Sequence, residues 1–216
     1  MIEGIIFDMD GTMVDNMMVH HRAWQTKLRE LCIAMSIEEV MEKVHGVNYE
    51  ILERLFGDRF THEERLQISK EKEQAYQKLF LPQLKLIDGL GDFLAAAKAD
   101  GMPLAIGSAA PPENVSFVLD HLNLNHYFRA IYHSGNVSRG KPDPEVYQKA
   151  AQALGVPIEK CIVFEDSITG AATAKNAGCP TVIVTTTHAA EEFAHFDHIL
   201  KFISDFTEFP YTSITG

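Results

Sequence analysis

Several features that would place a chain in a specialised class are missing from this sequence of 216 residues. It has no apolar run as long as a membrane-spanning helix, and no basic region leading into an apolar stretch at its N-terminus. We therefore expect neither a transmembrane segment nor a signal peptide. It also has no basic tract, and its formal net charge of -11 argues against broad binding to nucleic acids or anionic membranes. A cytoplasmic protein is expected.

Cysteine is scarce as well. The three cysteines, Cys32, Cys161 and Cys179, lie far apart, and none forms a Cys-x-x-Cys pair or a Cys/His spacing typical of a metal site. An odd number of separated thiols predicts reduced structural side chains. We therefore expect neither a zinc module nor a disulfide framework.

What the sequence does contain is an ordinary globular composition, 46% hydrophobic and 23% charged. An apolar run over residues 2–7 predicts a buried strand. From residue 84 onward strands and helices alternate, with strands near 103–107, 130–133, 161–164 and 181–184, and helices near 89–100, 112–122, 144–154 and 168–177. This alternation predicts an α/β fold with a Rossmann-like, three-layer core built on a parallel sheet.

The stretch between the first strand and this alternating region contains only helical signals, such as the spacing of Trp24, Leu28 and Leu31. We expect two domains: an α/β catalytic core of residues 1–15 and 84–216, and a helical cap domain of residues 16–83. Short crossings between them predict a hinge. The insert would then cap the carboxyl edge of the sheet, where ligands bind in open α/β folds.

Two aspartates, Asp8 and Asp10, follow the first predicted strand and precede a glycine turn. Positions i and i+2 leave a strand on the same face, so the two carboxylates emerge together. Like charges this close are stabilised by a bound cation or by sharing one proton. Because an ordinary turn uses the same residue types, the pair gains meaning only from three segments downstream.

Two of these segments offer groups that suit an anion. Ser108 ends the strand near 103–107 and precedes a helix, whose N-terminus favours negative charge. Lys141 lies between Gly140 and Pro142, which restrict where its ammonium group reaches. This is not a Walker A loop, because neither the glycine-rich approach nor a Ser or Thr after the lysine is present.

The third segment offers groups that suit a cation. Glu165 and Asp166 end the strand near 161–164, and a helix of small residues follows. Carboxylate oxygens at a strand end are ligands that Mg²⁺ prefers. Considered alone, each of the three segments also fits a helix cap or a turn.

Together, the order Asp-x-Asp-Gly-Thr, strand-end Ser, Gly-Lys-Pro and Glu-Asp-Ser closely resembles the motif set of the haloacid dehalogenase superfamily of phosphatases and phosphomutases. The resemblance covers the whole chain, including the helical insert. It implies that Asp8 is the nucleophile that accepts the phosphoryl group, and that Asp10 is the general acid and base. It also implies that the transferring phosphoryl group is held by Ser108, Ala109 and Lys141.

The same resemblance implies Mg²⁺ as the cofactor. Its ligands would be Asp8, the main-chain carbonyl of Asp10, Asp166, and Glu165 either directly or through a water molecule. The residue types suit this chemistry, because phosphoryl transfer depends on charge neutralisation and in-line positioning. An aspartate nucleophile divides the transfer into two steps.

Within the superfamily, the helical insert resembles that of β-phosphoglucomutase and its sugar-phosphatase relatives. One match is the helix around His20 and the other is a specificity loop that begins at His45. The substrate residues implied by these matches are His20, Trp24, His45, Gly46, Val47 and Asn48. Two alternatives stay open: Trp24 is an aromatic of the cap core, and His45 only ends a helix before a glycine.

One departure bears on the activity. The mutases carry a basic residue after the Gly-Val pair, which grips the second phosphate of their substrate, whereas this chain has Asn48-Tyr49-Glu50. We therefore expect a Mg²⁺-dependent phosphatase of a small phosphorylated metabolite, with a sugar phosphate favoured, that acts through an aspartyl-phosphate intermediate. β-Phosphoglucomutase activity is the first alternative, and a family member that binds a ligand without turnover is the second. A monomer is expected, since a moving cap needs the edge of the core open.

Overall fold

The computed structural model describes residues 1–215, with only the main chain described at Thr215. The chain forms two compact units: Met1–Asp15 together with the chain from Lys85 onward, and Asn16–Leu84. No helix in the described part of the chain is both long and apolar enough to cross a membrane.

The first unit is built on a six-stranded sheet in which every pair of neighbouring strands is parallel. Its strands are β1 (Gly4–Phe7), β2 (Leu104–Gly107), β3 (Ala130–Tyr132), β4 (Cys161–Glu165), β5 (Thr181–Val184) and β6 (Ile199–Ile203). Their order across the sheet is β3-β2-β1-β4-β5-β6, which puts β1 in the interior between β2 and β4. The predicted parallel α/β architecture is confirmed.

The second unit is entirely helical in its regular elements, and helices of the first unit follow it in the chain. The second unit contains α1 (Met17–Glu30), α2 (Ile37–Lys43), α3 (Asn48–Phe56) and α4 (His62–Phe80). The first unit contains α5 (Leu90–Ala99), α6 (Pro112–His121), α7 (Glu145–Leu154), α8 (Ile168–Ala177) and the short α9 (Thr212–Thr215). Ser36 and Thr61 begin α2 and α4 with capping boxes, which satisfy the first N–H groups of each helix.

Helices cover both faces of the sheet because successive strand residues point to opposite sides. On one face, Ile6 and Val163 pack in a cluster with Val146 and Ala150 of α7. On the other face, the ring of Phe7 meets that of Phe93 edge-on, with 5.9 Å between their centroids, where Phe93 belongs to α5. The result is the expected three-layer core.

Most predicted bounds agree with the structure to within a residue, and the main differences concern β6 and the start of α7. Strand β6 was not predicted, because its residues are mostly exposed or half-buried and include Leu200 at 62% exposure and Lys201, so no buried apolar run marks it. Helix α7 begins at Glu145 with Pro144 as its N-cap, one residue later than predicted. The Asp143 side chain still accepts a hydrogen bond from the Glu145 N–H at 3.0 Å.

Candidate active site

Three neighbouring strands of the sheet present polar side chains where they end. Asp8 follows β1, Ser108 follows β2, and Glu165 is the last residue of β4. The main-chain ladder continues past the strand ends: the Asp8 N–H donates to the Phe164 carbonyl at 2.9 Å and the Ser108 N–H to the Tyr132 carbonyl at 3.0 Å. These groups therefore stand on a backbone fixed by the sheet, which suits the placement of reacting groups.

Lys141 is the centre of the hydrogen-bond network at this edge. Its ammonium group donates to Asp8 Oδ1 at 2.7 Å, to Glu165 Oε1 at 2.6 Å and to the Tyr147 hydroxyl at 2.7 Å. The lysine and both carboxylate side chains are at most 8% exposed. Burial lowers the pKa of Lys141, but the two carboxylates outweigh burial and hold that pKa above its usual value. Lys141 is therefore a permanent positive charge beside Asp8.

Both carboxylate oxygens of Glu165 are occupied by donors from the protein. Oε1 accepts from Lys141 and from the Tyr147 hydroxyl, the latter at 2.7 Å. Oε2 accepts from the Asp166 N–H at 2.9 Å and from the N–H and hydroxyl of Ser167, both at 3.0 Å. Burial raises the pKa of Glu165, but Lys141 outweighs burial and the net shift is downward. A carboxylate with five donors has little capacity left for a metal ion, which favours the alternative in which Glu165 acts through water.

Two glycines allow the acidic residues to lie this close to the chain. Gly11 has φ +78°, and a Cβ there would lie 2.0 Å from Asp166 Oδ2. A Cβ on Gly170, in the first turn of α8, would lie 1.8 Å from the Glu165 carboxylate. Neither position has room for a side chain, so both glycines are part of the site's construction.

Asp8, Glu165 and Asp166 form a buried acidic cluster that could hold a metal ion. One carboxylate oxygen of each lies within 4.8 Å of the others. Burial raises the pKa of Asp8 to about 8 and the pKa of Asp166 well above its usual value; the charge of Glu165 pushes both the same way, and Lys141 opposes it. A hard divalent cation among these oxygens would offset the repulsion and favour the ionised forms. The donor set therefore fits Mg²⁺.

Further donors position Asp166. The Thr12 hydroxyl donates to Asp166 Oδ1 at 3.4 Å, and the Thr187 hydroxyl donates to Oδ2. Ser167, rather than Asp166, is the N-cap of α8, with its hydroxyl accepting from the Gly170 N–H at 3.0 Å. The alternative in which Asp166 serves only as a helix cap is therefore not what its contacts support.

Asp10 lies outside the acidic cluster. Its side chain is partly buried, and its main chain pairs with Val14 in an isolated bridge. Its charge contributes to the raised pKa of Asp8, so the two carboxylates interact. The predicted roles of Asp10, as acid and base and as a metal ligand through its carbonyl, stay predictions.

The segment after β2 that was predicted to bind phosphate is a short loop. Ser108 is 2% exposed, and its hydroxyl oxygen accepts from the Ala110 N–H at 3.0 Å. Ala109 is exposed. Helix α6 begins at Pro112, with Pro111 as its N-cap, so the helix predicted behind Ser108 is separated from it by this loop.

The predicted substrate residues of the second unit are divided between its core and its surface. Trp24 is 3% exposed and packs with Leu28 and other apolar side chains in the core of this unit, as the alternative expected. His45, Gly46 and Val47 are exposed in the connection between α2 and α3.

His20 belongs to a partly buried polar cluster that joins α1 to α4. Its Nδ1 lies 2.9 Å from Lys72 Nζ, and because an ammonium group can only donate, Nδ1 accepts and the ring is neutral. Lys72 also donates to Glu73 Oε1 at 3.0 Å, and the same oxygen accepts from Asn48 Nδ2 at 2.6 Å. The His20 ring stacks on that of Tyr76 with centroids 3.8 Å apart. Burial, with the charge of Lys72, lowers the pKa of His20 well below its usual value.

Two hydroxyl groups at the site were not predicted from the sequence: those of Tyr147, which contacts Lys141, and Thr187, which contacts Asp166. Tyr147 occupies an apolar position of α7 and looks like a core residue, so its hydroxyl was the sole signal. Thr187 ends a run of three threonines that follows β5. The threonines after β5 could have been predicted to reach the site, because the carboxyl ends of all parallel strands lie at the same edge of the sheet.

The parallel sheet, the buried Lys141 network and the acidic cluster together form a candidate active site, and comparison with known proteins identifies the family. The chain belongs to the haloacid dehalogenase-like hydrolases, whose family model matches residues 2–178. It is similar to 6-phosphogluconate phosphatase of Escherichia coli (strain K12), with 35% identity over 184 residues that cover 82% of this chain and 80% of that protein. It is also similar to β-phosphoglucomutase of Bacillus subtilis (strain 168), with 29% identity over 185 residues that cover 82% and 80%.

A solved structure shows the same likeness over almost the whole length. A haloacid dehalogenase hydrolase of family IA, variant 3, from Entamoeba histolytica HM-1:IMSS is 26% identical, with a TM-score of 0.89. The match covers 99% of this chain and 97% of that one.

Proposed function

We propose that this protein is a Mg²⁺-dependent phosphatase of a small phosphorylated metabolite, with a sugar phosphate favoured. The observation that carries the proposal is the buried contact between Lys141 and Asp8 beside the acidic cluster, at 2.7 Å. A permanent cation next to a strand-end carboxylate gives a nucleophile and a phosphoryl-binding group in one place. The similarity to 6-phosphogluconate phosphatase supports the substrate class.

Asp8 and Asp166 would hold the metal directly, with Glu165 acting through water and the Asp10 carbonyl completing the protein ligands. When bound, Mg²⁺ supplies positive charge that lets an anionic nucleophile approach an anionic phosphoryl group. The two raised pKa values at Asp8 and Asp166 support a cation at this position, because both carboxylates must be ionised for the reaction.

In the first step, a carboxylate oxygen of Asp8 attacks phosphorus, and the bond between phosphorus and the ester oxygen breaks. Asp10 gives its proton to the departing alkoxide oxygen, so the alcohol leaves neutral. Lys141, Ser108 and the Ala109 segment bind the phosphoryl oxygens and hold them in line. The products are the free alcohol and an aspartyl phosphate.

In the second step, Asp10, now ionised, takes a proton from a water molecule whose oxygen attacks the phosphorus of the aspartyl phosphate. The bond to Asp8 breaks, inorganic phosphate leaves, and both aspartates return to their starting states. Acid–base assistance of this kind is worth about 10²–10⁴-fold in rate.

The helical unit favours a phosphatase over a mutase. A mutase needs a cation for a second phosphate, but the stretch in which the mutases carry a basic residue is Asn48-Tyr49-Glu50 here, and the Asn48 amide donates to Glu73. The buried Lys72 of the same unit is paired with Glu73 as well. A paired lysine is less available to a second phosphate than an unpaired one, since the pair would have to be broken.

We further propose that the first unit is the catalytic core and that Asn16–Leu84 is a cap that selects the substrate. His45, Gly46 and Val47 are exposed, as residues that meet a ligand must be. Asn48 and His20 belong to the polar cluster around Lys72, and we assign them to substrate selection as well. Trp24 acts from within the core of the unit, by holding α1 in place.

We expect the protein to be a monomer, which light scattering during size-exclusion chromatography tests.

The decisive experiment is a phosphate-release screen over small phosphorylated metabolites, with Mg²⁺ and with EDTA in parallel. The proposal expects turnover of p-nitrophenyl phosphate and of at least one sugar phosphate, in Mg²⁺ alone. A parallel assay for glucose 6-phosphate formed from β-glucose 1-phosphate distinguishes phosphatase activity from phosphomutase activity. Formation of glucose 6-phosphate faster than phosphate release would assign the protein as a mutase, and no turnover of any ester would assign it as a binding protein.

A further inference from the structure

Tyr147 is a fully buried residue at the start of α7, and its hydroxyl lies inside the network around Lys141. The hydroxyl oxygen is 2.7 Å from Lys141 Nζ and 2.7 Å from Glu165 Oε1. The direction of both hydrogen bonds is forced, because an ammonium group can only donate and a carboxylate can only accept. The hydroxyl therefore accepts from Lys141 and donates to Glu165.

The neighbouring strand is built to admit this ring. A Cβ on Gly107, the last residue of β2, would lie 2.7 Å from Tyr147 Cδ1 and 2.9 Å from Cε1. The ring also lies beside the ammonium group, with Lys141 Nζ 4.7 Å from its centroid. The ring thus packs against the strand and the lysine, and the hydroxyl is the only part of it that enters the polar network.

The three N–H groups of the Lys141 ammonium have three acceptors. All three acceptors are buried: Glu165 Oε1, the Tyr147 hydroxyl and Asp8 Oδ1. Because an ammonium group is tetrahedral, fixing two of its N–H bonds fixes the direction of the third. We propose that Tyr147 is a positioning residue, whose hydroxyl acts with Glu165 to turn the Lys141 ammonium so that its remaining N–H points at Asp8 and at the phosphoryl group transferred there.

This inference rests on the proposed phosphatase function and deepens it. Without the hydroxyl, one buried N–H of Lys141 loses its acceptor and the ammonium group is free to turn away from the phosphoryl group. The donors of an active site stabilise the charge on the phosphoryl oxygens most strongly in the transition state. A misdirected N–H therefore raises the free energy of the transition state more than that of the bound substrate. We expect kcat to fall about tenfold or more, with KM changed less than about twofold.

The test is Tyr147→Phe, which keeps the ring and its contact with the ammonium group and removes only the oxygen. The matched control is Tyr211→Phe, because Tyr211 is also buried in the first unit and donates to a carboxylate, Asp100 Oδ2, at 2.5 Å. Both variants are compared with the wild type for kcat and KM on p-nitrophenyl phosphate, and for thermal unfolding. Two further measurements do not depend on turnover: Mg²⁺ affinity by calorimetry, and binding of orthovanadate, a mimic of the transition state, against inorganic phosphate.

The expected result is a selective loss in Tyr147→Phe: kcat falls, orthovanadate binding weakens about tenfold more than phosphate binding, and Mg²⁺ affinity stays within about twofold. Tyr211→Phe changes only thermal unfolding. Equal kcat in the wild type and Tyr147→Phe overturns the inference and leaves the phosphatase proposal standing. A Tyr147→Phe protein that fails to fold also overturns the inference, because it assigns the hydroxyl to stability. A variant that loses Mg²⁺ affinity and kcat together overturns it as well. A wild type without turnover overturns the proposed function and this inference with it.

Discussion

At the scale of single residues, the proposed reaction depends most directly on Asp8. Replacement by Asn keeps the size of the side chain and removes the repulsion with Glu165 that helps to raise the pKa of Asp8. An amide cannot form the acyl phosphate, so we expect turnover to fall by more than about 100-fold while the fold is kept. Steady-state phosphate release, with circular dichroism as the check on folding, measures both.

The matched control for this variant is Asp15→Asn, since Asp15 is an exposed aspartate of the same unit. It should retain the activity of the wild type. A well-folded Asp8→Asn protein that releases phosphate within tenfold of the wild-type rate would remove Asp8 as the nucleophile.

Asp166 is the second residue with a distinct expected effect. Asp166→Asn keeps the contacts with Thr12 and Thr187 in part but removes a negative ligand, so Mg²⁺ affinity and activity should fall together by at least about tenfold. Mg²⁺ titrations followed by calorimetry and by turnover test this. If the variant kept the Mg²⁺ dependence of the wild type, Asp166 would be a structural residue only.

The sequence was informative about residues that stand at strand ends and uninformative about those reached through packing. Asp8, Lys141 and Glu165 were predicted to share a site. In the structure, Lys141 Nζ lies 2.7 Å from Asp8 Oδ1 and 2.6 Å from Glu165 Oε1. Tyr147 was missed because an aromatic at an apolar helix position is explained by burial alone. Only side-chain coordinates show that its hydroxyl reaches Lys141.

At the scale of elements, the start of α8 is the tightest junction with β4. Gly170→Ala should help the helix by propensity, but its Cβ would lie 1.8 Å from the Glu165 carboxylate. We therefore expect a loss of about 1–3 kcal/mol in the free energy of unfolding, together with lower activity, as the carboxylate is pushed from Lys141.

The control for this prediction is the same substitution in another helix. Gly91 lies in α5, and the nearest atom to a Cβ there is Leu86 Cδ1 at 3.9 Å. Gly91→Ala should stabilise the protein by about 0.4–1 kcal/mol and leave activity unchanged. Chemical denaturation measures the free energy of unfolding of both variants. A Gly170→Ala enzyme that is stabilised and active would show that Glu165 is free to move.

The contact between α1 and α4 makes stability depend on pH. The pKa of His20 in the folded protein is well below its ordinary value of 6.5, so the unfolded chain binds an extra proton as the pH falls through that value. The contribution is complete above about pH 6.5 and is lost below it. The melting temperature should fall between pH 7.5 and pH 5.5, and this fall should be smaller in His20→Asn, which keeps an acceptor for Lys72.

His126→Gln serves as the comparison, because His126 is exposed and belongs to the first unit. Its melting temperature should follow that of the wild type over the same pH range. Identical pH curves for the wild type and His20→Asn would show that the neutral ring of His20 contributes nothing to this dependence.

The sequence predicted most elements because their apolar periodicities are strong. It missed β6 because an edge strand that is exposed on much of its surface carries no such pattern. The alternation of buried strands and amphipathic helices depends on local sequence, whereas the position of an edge strand depends on the sheet beside it.

At the scale of the whole molecule, we propose that the two units divide the work of reaction and selection. His45→Ala should therefore lower kcat/KM for the physiological phosphometabolite much more than for p-nitrophenyl phosphate, because only the larger substrate uses binding energy remote from the phosphoryl group. Met41→Ala, at another exposed residue of the same unit, is the control. Equal losses on both substrates in a well-folded His45→Ala protein would make this loop a scaffold.

The interior position of β1 has a consequence for the way this chain is made. Its four buried residues pair with β2 and β4, whose registers join Ile5 to Leu104 and to Ile162, so both partners are synthesised long after β1 itself. During translation this apolar strand has no strand partner until β2 and β4 have been synthesised, and an unpaired apolar strand favours aggregation. Charged residues that flank an apolar strand oppose aggregation, and Asp8 and Asp10 directly follow this one. We therefore expect a neutral residue at position 8 to lower the soluble yield of newly made protein, in addition to its effect on turnover.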